Sequence, residues 1–322
     1  MNKTYNIYIG IDVGSVSTNL IVMDSDLNVI RKEYIRTQGR PIQILKESLE
    51  ELSQNLPKDS IIAGVGCTGS GRELAGALVG ADVIKNEITA HGIAALTFVP
   101  EVKTVIEIGG QDSKIIIIRD NIVTDFAMNT VCAAGTGSFL DRQAARLNIP
   151  IEEFGNLALK SKSPVRIAGR CAVFAESDMV HKQQMGHGVE DIVKGLCVAL
   201  VRNYLNNVGK GKEILPNVIF QGGVAANMGI KLAFEDALNL SITVPKHFDV
   251  MGALGAAILA KNETDISGRS KFRGFETLDL DFRSASFECD RCPNRCEVVE
   301  IRVGDKIVAS WGDRCGRWGS RE

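Results

Sequence analysis

The sequence predicts an α/β protein of two similar lobes around a cleft, followed by a small C-terminal module with four cysteines. A run of three strands that opens on a glycine turn and continues into helices occurs twice, from about residue 5 and again from about residue 103. Internal repetition is stronger evidence for a fold than a single motif. The C-terminal residues 285–322 hold four of the eight cysteines, which predicts a separate compact module.

Hydrophobic periodicity predicts the elements of each lobe. In the first lobe we expect strands at 5–13, 19–24, 29–36 and 60–66, with helices at 42–56, 72–79 and 86–97. In the second lobe we expect strands at 103–108, 114–120, 122–129 and 217–221, with helices at 138–147, 173–185, 191–206 and near 252–261. The predicted boundaries are residues 1–98 for lobe I and 99–262 for lobe II. A polar, turn-rich linker is expected at 263–284, followed by the tail at 285–322.

Composition excludes several classes of protein. The 322 residues are 45% hydrophobic and 24% charged, and the formal net charge is −2, so no basic surface predicts nucleic-acid binding. No apolar run reaches the roughly 18 residues of a membrane span, and the N-terminal segment alternates like a strand rather than a signal peptide. We therefore expect a cytoplasmic protein. Eight cysteines in such a chain favour metal or redox chemistry over disulfides.

Three glycine turns predict a nucleotide site. GIDVGSVST (residues 10–18) and GGQDS (109–113) each follow a strand, and GGVAAN (222–227) follows a strand and opens a helix. Backbone N–H groups of such turns bind phosphate oxygens, and an acidic side chain can hold Mg²⁺ through water. Asp12 is the predicted magnesium-water ligand, and Gln111 or Asp112 is predicted to orient the attacking water. The predicted cofactor-binding residues are Gly10, Gly14, Ser15, Ser17, Thr18, Gly109, Gly110, Gly222, Gly223 and Asn227.

A rival nucleotide motif lies in the first lobe. Residues 64–69, GVGCTG, fit G-x-G-x-x-G after a strand, and Glu87 follows about 20 residues on, as in a Rossmann fingerprint. The segment that holds Glu87 has helical spacing, which disfavours this reading. No P-loop pattern G-x-x-x-x-G-K-[ST] is present.

The order of the three turns resembles the superfamily of actin, heat-shock chaperone ATPases and sugar kinases, over roughly residues 5–262. The resemblance implies an actin-like (ribonuclease H-like) ATPase fold that binds ATP or ADP with Mg²⁺. GIDVGSVST and IGGQDS match its two phosphate loops, and QGGVAAN matches its adenosine loop.

Two cysteines precede predicted helices, Cys132 in NTVCAAGTGS and Cys171 in AGRCAVF. The helix dipole stabilises a thiolate at such a position. A [4Fe–4S] cluster usually takes four cysteines, so a twofold dimer with two from each chain could hold one on its axis. A redox pair or two unrelated buried cysteines fit the same residues.

With these contexts, the chain resembles the ATPase activators of 2-hydroxyacyl-CoA dehydratases, the ATPase subunits of benzoyl-CoA reductase and the reductase of double-cubane cluster proteins. TGSGR (68–72), NEITAH (86–91) and GALGAA (252–257) also match, although Ser70 departs from the expected tyrosine. The resemblance implies a homodimer with one [4Fe–4S] cluster held by Cys132 and Cys171 of both chains. It implies ATP-driven, one-electron transfer to an iron–sulfur acceptor enzyme, with ferredoxin or flavodoxin as donor.

The tail has the spacing Cys289-x2-Cys292-x3-Cys296-x18-Cys315 around a predicted hairpin. Four thiolates predict a bound metal, either zinc or a second iron–sulfur cluster. The small activators of the family lack such a tail. A kinase of the same fold and an ATP-regulated chaperone-like module remain alternative functions for the chain.

Overall fold

The computed structural model describes residues 5–57 and 59–319, and the chain divides into two compact units. The first unit joins the chain up to Ile93 with the chain from Gly252 onward, and the second unit runs from Ala94 to Met251. This division differs from the sequence-based boundaries at the last helix. That helix, placed in lobe II by its position in the chain, belongs with the first unit.

The first unit is built on a five-stranded sheet of order β3-β2-β1-β4-β5. β1 is antiparallel to β2 and parallel to β4, because a hairpin joins the first pair and a helix joins β3 to β4. Its elements are β1 (Tyr5–Val13), β2 (Ser17–Asp24), β3 (Val29–Arg36), α1 (Pro41–Asn55), β4 (Ser60–Thr68), α2 (Arg72–Val79), β5 (Val83–Ile84), the first part of α3 (Glu87–Phe98) and α9 (Met251–Ser267).

The second unit repeats this topology with a sheet of order β10-β9-β6-β7-β8. β6 is antiparallel to β7 and parallel to β9, as β1 is to β2 and β4. The elements are β6 (Thr104–Ile108), β7 (Ser113–Arg119), β8 (Ile122–Asn129), α4 (Gly137–Leu147), α5 (Ile151–Leu159), α6 (Ala172–Gln184), α7 (Val189–Asn207), β9 (Val218–Gln221), α8 (Met228–Leu238) and β10 (Ile242–Thr243). The duplication predicted from the sequence is therefore confirmed.

Helix α9 packs so closely on the first sheet that only glycine fits beneath it. A Cβ on Gly10 would lie 1.8 Å from the carbonyl oxygen of Ala253, and one on Gly66 would lie 2.0 Å from that of Ala256. Neither helix carbonyl can move without breaking the helix. Gly10, predicted to cradle phosphate, thus serves the packing of β1 against α9.

The segment predicted as a linker is bound to the first unit. Ser270 Oγ and the Lys271 amide donate hydrogen bonds of 2.7 and 2.5 Å to the Asp82 carboxylate. The core of this unit includes Leu278, with Phe272 and Phe275 packed against it. Burying these apolar side chains is favourable enough to hold the polar segment against the unit.

The tail forms a three-stranded antiparallel sheet of order β11-β12-β13, with β11 (Phe282–Glu288), β12 (Glu297–Val303) and β13 (Lys306–Trp311). The predicted hairpin is β12–β13, and β11 is the strand that the sequence pattern did not reveal. Phe282 and Ile301 are buried in one cluster with Leu45 and Leu49 of α1. The sheet therefore packs against the first unit. Across both described stretches, 5–57 and 59–319, no helix is long and apolar enough to cross a membrane.

Candidate functional site

The first glycine turn is the β1–β2 hairpin. The Gly14 amide donates to the Ser17 carbonyl over 2.9 Å, and Ser15 at the tip is exposed. Thr18, predicted to contact the nucleotide, is buried, and its hydroxyl lies 3.1 Å from that of Thr37. Thr37 Oγ1 in turn donates to the Gly14 carbonyl over 3.1 Å. Thr18 and Thr37 therefore support the turn from below.

Asp12 lies at the end of β1, beside two glycines of its own unit. A Cβ on Gly69 would lie 2.5 Å from Asp12 Oδ1, and one on Gly252 would lie 2.2 Å from Oδ2. The same Gly252 position is 3.3 Å from His91 Nε2. The carboxylate is thus packed against backbone that carries no side chain, and any side chain at Gly69 or Gly252 would collide with it.

The second glycine turn joins β6 to β7 and contains a buried ion network. Lys114 Nζ lies 3.0 Å from Glu107 Oε2 and 2.8 Å from Asp112 Oδ2. Asp112 is thereby fixed to a cation within its own turn, whereas Gln111 is exposed. This network was not predicted from the sequence, although a Glu and a Lys inside two otherwise apolar strands were the available signal.

Tyr204 of α7 completes the support of this turn from below. Its hydroxyl donates to the Lys114 carbonyl over 2.6 Å. Burial raises the pKa of Tyr204, and the nearby Glu107 acts in the same direction, so the phenol stays protonated and remains a donor.

The second turn is also fastened to the start of α4. The Gly137 amide donates to the Gly109 carbonyl over 2.9 Å, and the Ser138 amide and hydroxyl donate to the Gly110 carbonyl over 2.8 and 2.6 Å. Ser113 Oγ is buried and makes no hydrogen bond among the described residues. The turn is therefore held directly against the first two residues of α4.

The third turn follows β9. Gly222 has φ +87°, and a Cβ there would lie 2.4 Å from the Ile108 carbonyl oxygen, so glycine is required. Gly223 begins a short 3₁₀ turn, Gly223–Ala226. Asn227, predicted to contact the nucleotide, caps α8 by accepting from the Ile230 amide over 3.1 Å.

The rival Rossmann motif is not a turn. Residues 64–68 of this stretch lie inside β4, where Gly66 contacts α9, and Glu87 begins α3. Gly64 and Gly66 therefore do not form a phosphate-binding loop, and the Rossmann reading is wrong.

The two cysteines predicted to hold the cluster, Cys132 and Cys171, differ in the helices that follow them. Cys171 is the N-cap of the 13-residue helix α6, as predicted. Cys132 precedes only a 3₁₀ turn, Ala133–Gly135, and α4 begins at Gly137, so the predicted α-helix does not start at Cys132. Both cysteines are free thiols of intermediate exposure.

Asn203 of α7 connects the loops of these two cysteines. Its Nδ2 lies 3.8 Å from Cys132 Sγ and donates to the Gly169 carbonyl over 2.6 Å, two residues before Cys171. Asn203 is only 2% exposed. No motif revealed it, because an asparagine on an amphipathic helix carries no signal until its neighbours in space are known.

Large apolar side chains are exposed beside both cysteines. Val131 is 94% exposed, and Val173 and Phe174 are 67% and 65% exposed. The edge strand β8, which leads to Cys132, exposes Ile122 and Phe126 as well. An apolar patch with an open strand edge favours contact with another protein surface.

The four tail cysteines lie at one end of the tail sheet. Cys289 is buried, Cys296 is half-buried, and Cys292 and Cys315 are exposed. Among residues 5–57 and 59–319, no three cysteine, histidine or carboxylate side chains are already gathered as a metal site. The predicted tail site thus remains a prediction.

A groove of 910 Å³ lies between α1 and the tail sheet of the first unit. Arg40, Lys46, Asp281 and Trp311 are among its lining residues, and none of the predicted site residues belongs to that lining. The groove is therefore separate from the glycine turns and from the cysteines.

Comparison with known proteins shows close relatives of most of the chain. The (R)-2-hydroxyglutaryl-CoA dehydratase activating ATPase of Acidaminococcus fermentans is 35% identical over 259 residues, 78% of this chain and 96% of that protein. The 2-hydroxyisocaproyl-CoA dehydratase activator of Clostridioides difficile is 33% identical over 257 residues, 79% of this chain and 94% of that protein.

A solved structure supports the same relationship. The activator of the 2-hydroxyisocaproyl-CoA dehydratase from Clostridium difficile with bound ADPNP matches with a TM-score of 0.74 at 31% identity, covering 82% of this chain and 97% of that one. The actin-like ATPase fold is thereby confirmed. The sequence profile of one ATPase family matches residues 9–260. The chain therefore belongs to the BadF/BadG/BcrA/BcrD ATPase family.

Proposed function

We propose that the protein hydrolyses ATP to drive one-electron transfer from a [4Fe–4S] cluster, shared by two copies of the chain, to a partner iron–sulfur enzyme. Two relatives named as activators of 2-hydroxyacyl-CoA dehydratases support the activator role. A dehydratase of this type or a double-cubane cluster protein is the acceptor we expect, with ferredoxin or flavodoxin as donor in the cytoplasm.

The glycine turns provide the groups that ATP and Mg²⁺ require. The related activator was solved with bound ADPNP, and the hairpins at Gly14 and Gly109 offer backbone N–H groups for its phosphates. Asp12 would hold Mg²⁺ through water. Phosphoryl transfer depends mainly on positioning and charge stabilisation.

Gln111 is the residue that we propose to orient the attacking water. Asp112 is held by Lys114 at 2.8 Å, so its carboxylate is committed to supporting the turn. The Gln111 side chain is exposed at the tip of that turn, and its amide can both donate to and accept from a water molecule.

The residues at the cysteine loops fit a shared cluster. Each chain supplies two free thiols at these loops, and a [4Fe–4S] cluster takes four, so a second copy would complete the ligand set. The exposed side chains of Val131, Val173 and Phe174 would be covered by that second copy. The cluster would supply a one-electron carrier, and the dipole of α6 would offset negative charge at Cys171.

The observation that carries the proposal is a short path, through hydrogen bonds and one chain segment, from the second glycine turn to both cysteines. Gly137 and Ser138 bind the turn at Gly109–Gly110, and Cys132 lies five residues before Gly137 in the same segment. Asn203 then joins Cys132 to the loop before Cys171. Nucleotide-dependent movement of the turn would therefore reach both cysteines.

Thermodynamic linkage provides a test that needs no partner enzyme. If nucleotide and electron are coupled, the midpoint potential shifts between the ADP and ATP states, and each 59 mV corresponds to a tenfold change in nucleotide affinity on reduction. The measurement is ATP hydrolysis together with redox titration of the anaerobically purified protein. Asp12→Asn should abolish both hydrolysis and the nucleotide-dependent shift. A potential identical with ADP, ATP and no nucleotide would rule out the coupling.

A further inference from the structure

The four tail cysteines lie outside the part of the chain that the family profile matches, which ends at residue 260. Metal binding by these cysteines can therefore be tested separately from the proposed electron-transfer function. They are spaced as Cys289-x2-Cys292-x3-Cys296-x18-Cys315. Structural zinc ribbons bind the ion through two cysteines separated by two residues, together with further cysteine ligands from neighbouring strands.

The register of the tail sheet brings all four positions to the same end. Glu288 pairs with Glu297 across β11 and β12, so Cys289 follows the last residue of β11 where Cys296 precedes the first residue of β12. Trp311, the last residue of β13, pairs with Val299 near the start of β12. Cys315 therefore follows β13 at this same end, since both outer strands run antiparallel to β12.

Backbone contacts hold these segments against one another. The Cys289 amide donates to the Cys296 carbonyl over 2.8 Å, and the Arg295 amide donates to the Cys292 carbonyl over 3.1 Å, closing the turn between them. Gly312 has φ +108°, and a Cβ there would lie 2.3 Å from the Glu297 carbonyl oxygen. The chain leaving β13 thus passes directly over the start of β12.

A side-chain contact brings the last segment onto the first cysteine. Trp318, three residues after Cys315, donates from Nε1 to Cys289 Sγ over 3.4 Å, and its ring packs edge-to-face on Phe287. This contact fixes the sulfur of Cys289, the most buried of the four cysteines, at the end of the sheet.

Two of the four thiols are exposed and can therefore change rotamer. Cys292 and Cys315 are at the surface, and Cys315 Sγ donates to Asp313 over 3.3 Å. A change between staggered rotamers moves an exposed sulfur at small cost. Four thiolates on one Zn²⁺ carry a net charge of −2. Arg314 and Arg317 lie in the same segment as Cys315, whereas Arg291 and Arg295 pair with Asp290 and Glu288.

We propose that the tail binds one zinc ion through four thiolates, those of Cys289, Cys292, Cys296 and Cys315. Binding releases the thiol protons and leaves four Zn–S bonds, with no oxidation or reduction. A tetrahedral ion with four protein ligands has no open position. Its role is therefore structural: it fastens the three strand ends and with them the sheet that packs on α1.

The test is metal analysis of the full-length protein, purified anaerobically after growth in zinc-containing medium. The wild type and the Cys132→Ser control should each retain about one zinc per chain, as a closed four-thiolate site predicts. The double variant Cys292→Ser/Cys315→Ser should lose at least about nine tenths of that zinc. A wild type without zinc, zinc that persists in the double variant, or iron and sulfide that depend on the tail cysteines would each overturn the proposal.

Cobalt keeps the test decisive should the double variant unfold. Wild-type protein from which zinc has been removed is titrated with Co²⁺ alone. A thiolate-to-cobalt charge-transfer band and intense visible bands, both displaced by Zn²⁺, are expected of a tetrahedral four-thiolate site. Weak octahedral bands would refute the site. Failure of the bridging cluster would show separately, as loss of iron rather than of zinc.

Discussion

Replacing Asn203 should lower the stability of the second unit and loosen the contact between the loops of Cys132 and Cys171. Asn203→Ala removes the donor to the Gly169 carbonyl at 2.6 Å and the amide beside Cys132 Sγ at 3.8 Å. An unsatisfied buried acceptor costs about 1–3 kcal/mol. For a unit of this size, each kcal/mol lowers Tm by about 2–4 °C, so Tm should fall by about 2–12 °C.

Asn203→Asp isolates the donor. The aspartate has nearly the same shape but offers a carboxylate, instead of an N–H, to the Gly169 carbonyl. Because this places two hydrogen-bond acceptors against each other at a buried position, the fall in Tm should equal or exceed that of the alanine variant. The amount of iron that the protein retains after anaerobic purification should also fall, because Asn203 no longer holds the two cysteine loops together.

Asn207→Ala is the matched control on the same helix. Asn207 is exposed and donates to Asn203 Oδ1 over 2.9 Å, so its removal should change stability by about 0.5 kcal/mol or less. Thermal unfolding by circular dichroism and iron analysis give both readouts. Asn203 variants with the Tm and iron content of the control would refute the role of Asn203 as the connection between the loops.

Two further variants and two measurements on Cys197 test the buried contacts of both units. Lys114→Met leaves the Glu107 carboxylate buried without its cation and should cost about 3–5 kcal/mol, measured as a lower urea midpoint; an unchanged midpoint would contradict the buried network. Gly10→Ala places a Cβ 1.8 Å from the Ala253 carbonyl oxygen, so little soluble protein is expected, and normal yield and Tm would disprove the tight packing. Burial raises the pKa of Cys197 to about 12 from 9.0. Iodoacetamide should therefore modify Cys292 and Cys315 of metal-free protein first and spare Cys197, as read by peptide mass mapping. The stability gained by burying the neutral Cys197 thiol is complete below pH 9.0 and is lost as the pH rises toward 12. A urea midpoint that increases when the pH is raised from 9.0 would contradict this assignment.

The strands and helices were largely predictable because each carries its own periodicity. The first helix was expected at 42–56 and is found at Pro41–Asn55, and the strand at 29–36 was expected and found as Val29–Arg36. Duplication followed from the repeated order of elements. Strand β11 was missed because FRSASFE alternates weakly and follows a polar stretch.

Contacts between distant segments could not be predicted in the same way. The segment at 263–284 has polar, turn-rich composition, yet Asp82, nearly 190 residues earlier, accepts hydrogen bonds from Ser270 and Lys271. Thr18 and Asn227 were chosen from their positions in glycine turns. Their side chains also support the turn and cap a helix, roles that depend on neighbours which sequence spacing does not identify.

Shared ligation is the central claim, and cluster stoichiometry tests it most directly. The anaerobically purified protein is analysed for iron and sulfide and for mass by sedimentation, with Cys132→Ala as the test variant and Cys197→Ala as the control. We expect a dimer with about four irons per two chains, lost in Cys132→Ala and retained in Cys197→Ala, with nucleotide binding intact in both. A colourless, iron-free protein, or a full cluster on a monomer, would contradict the account.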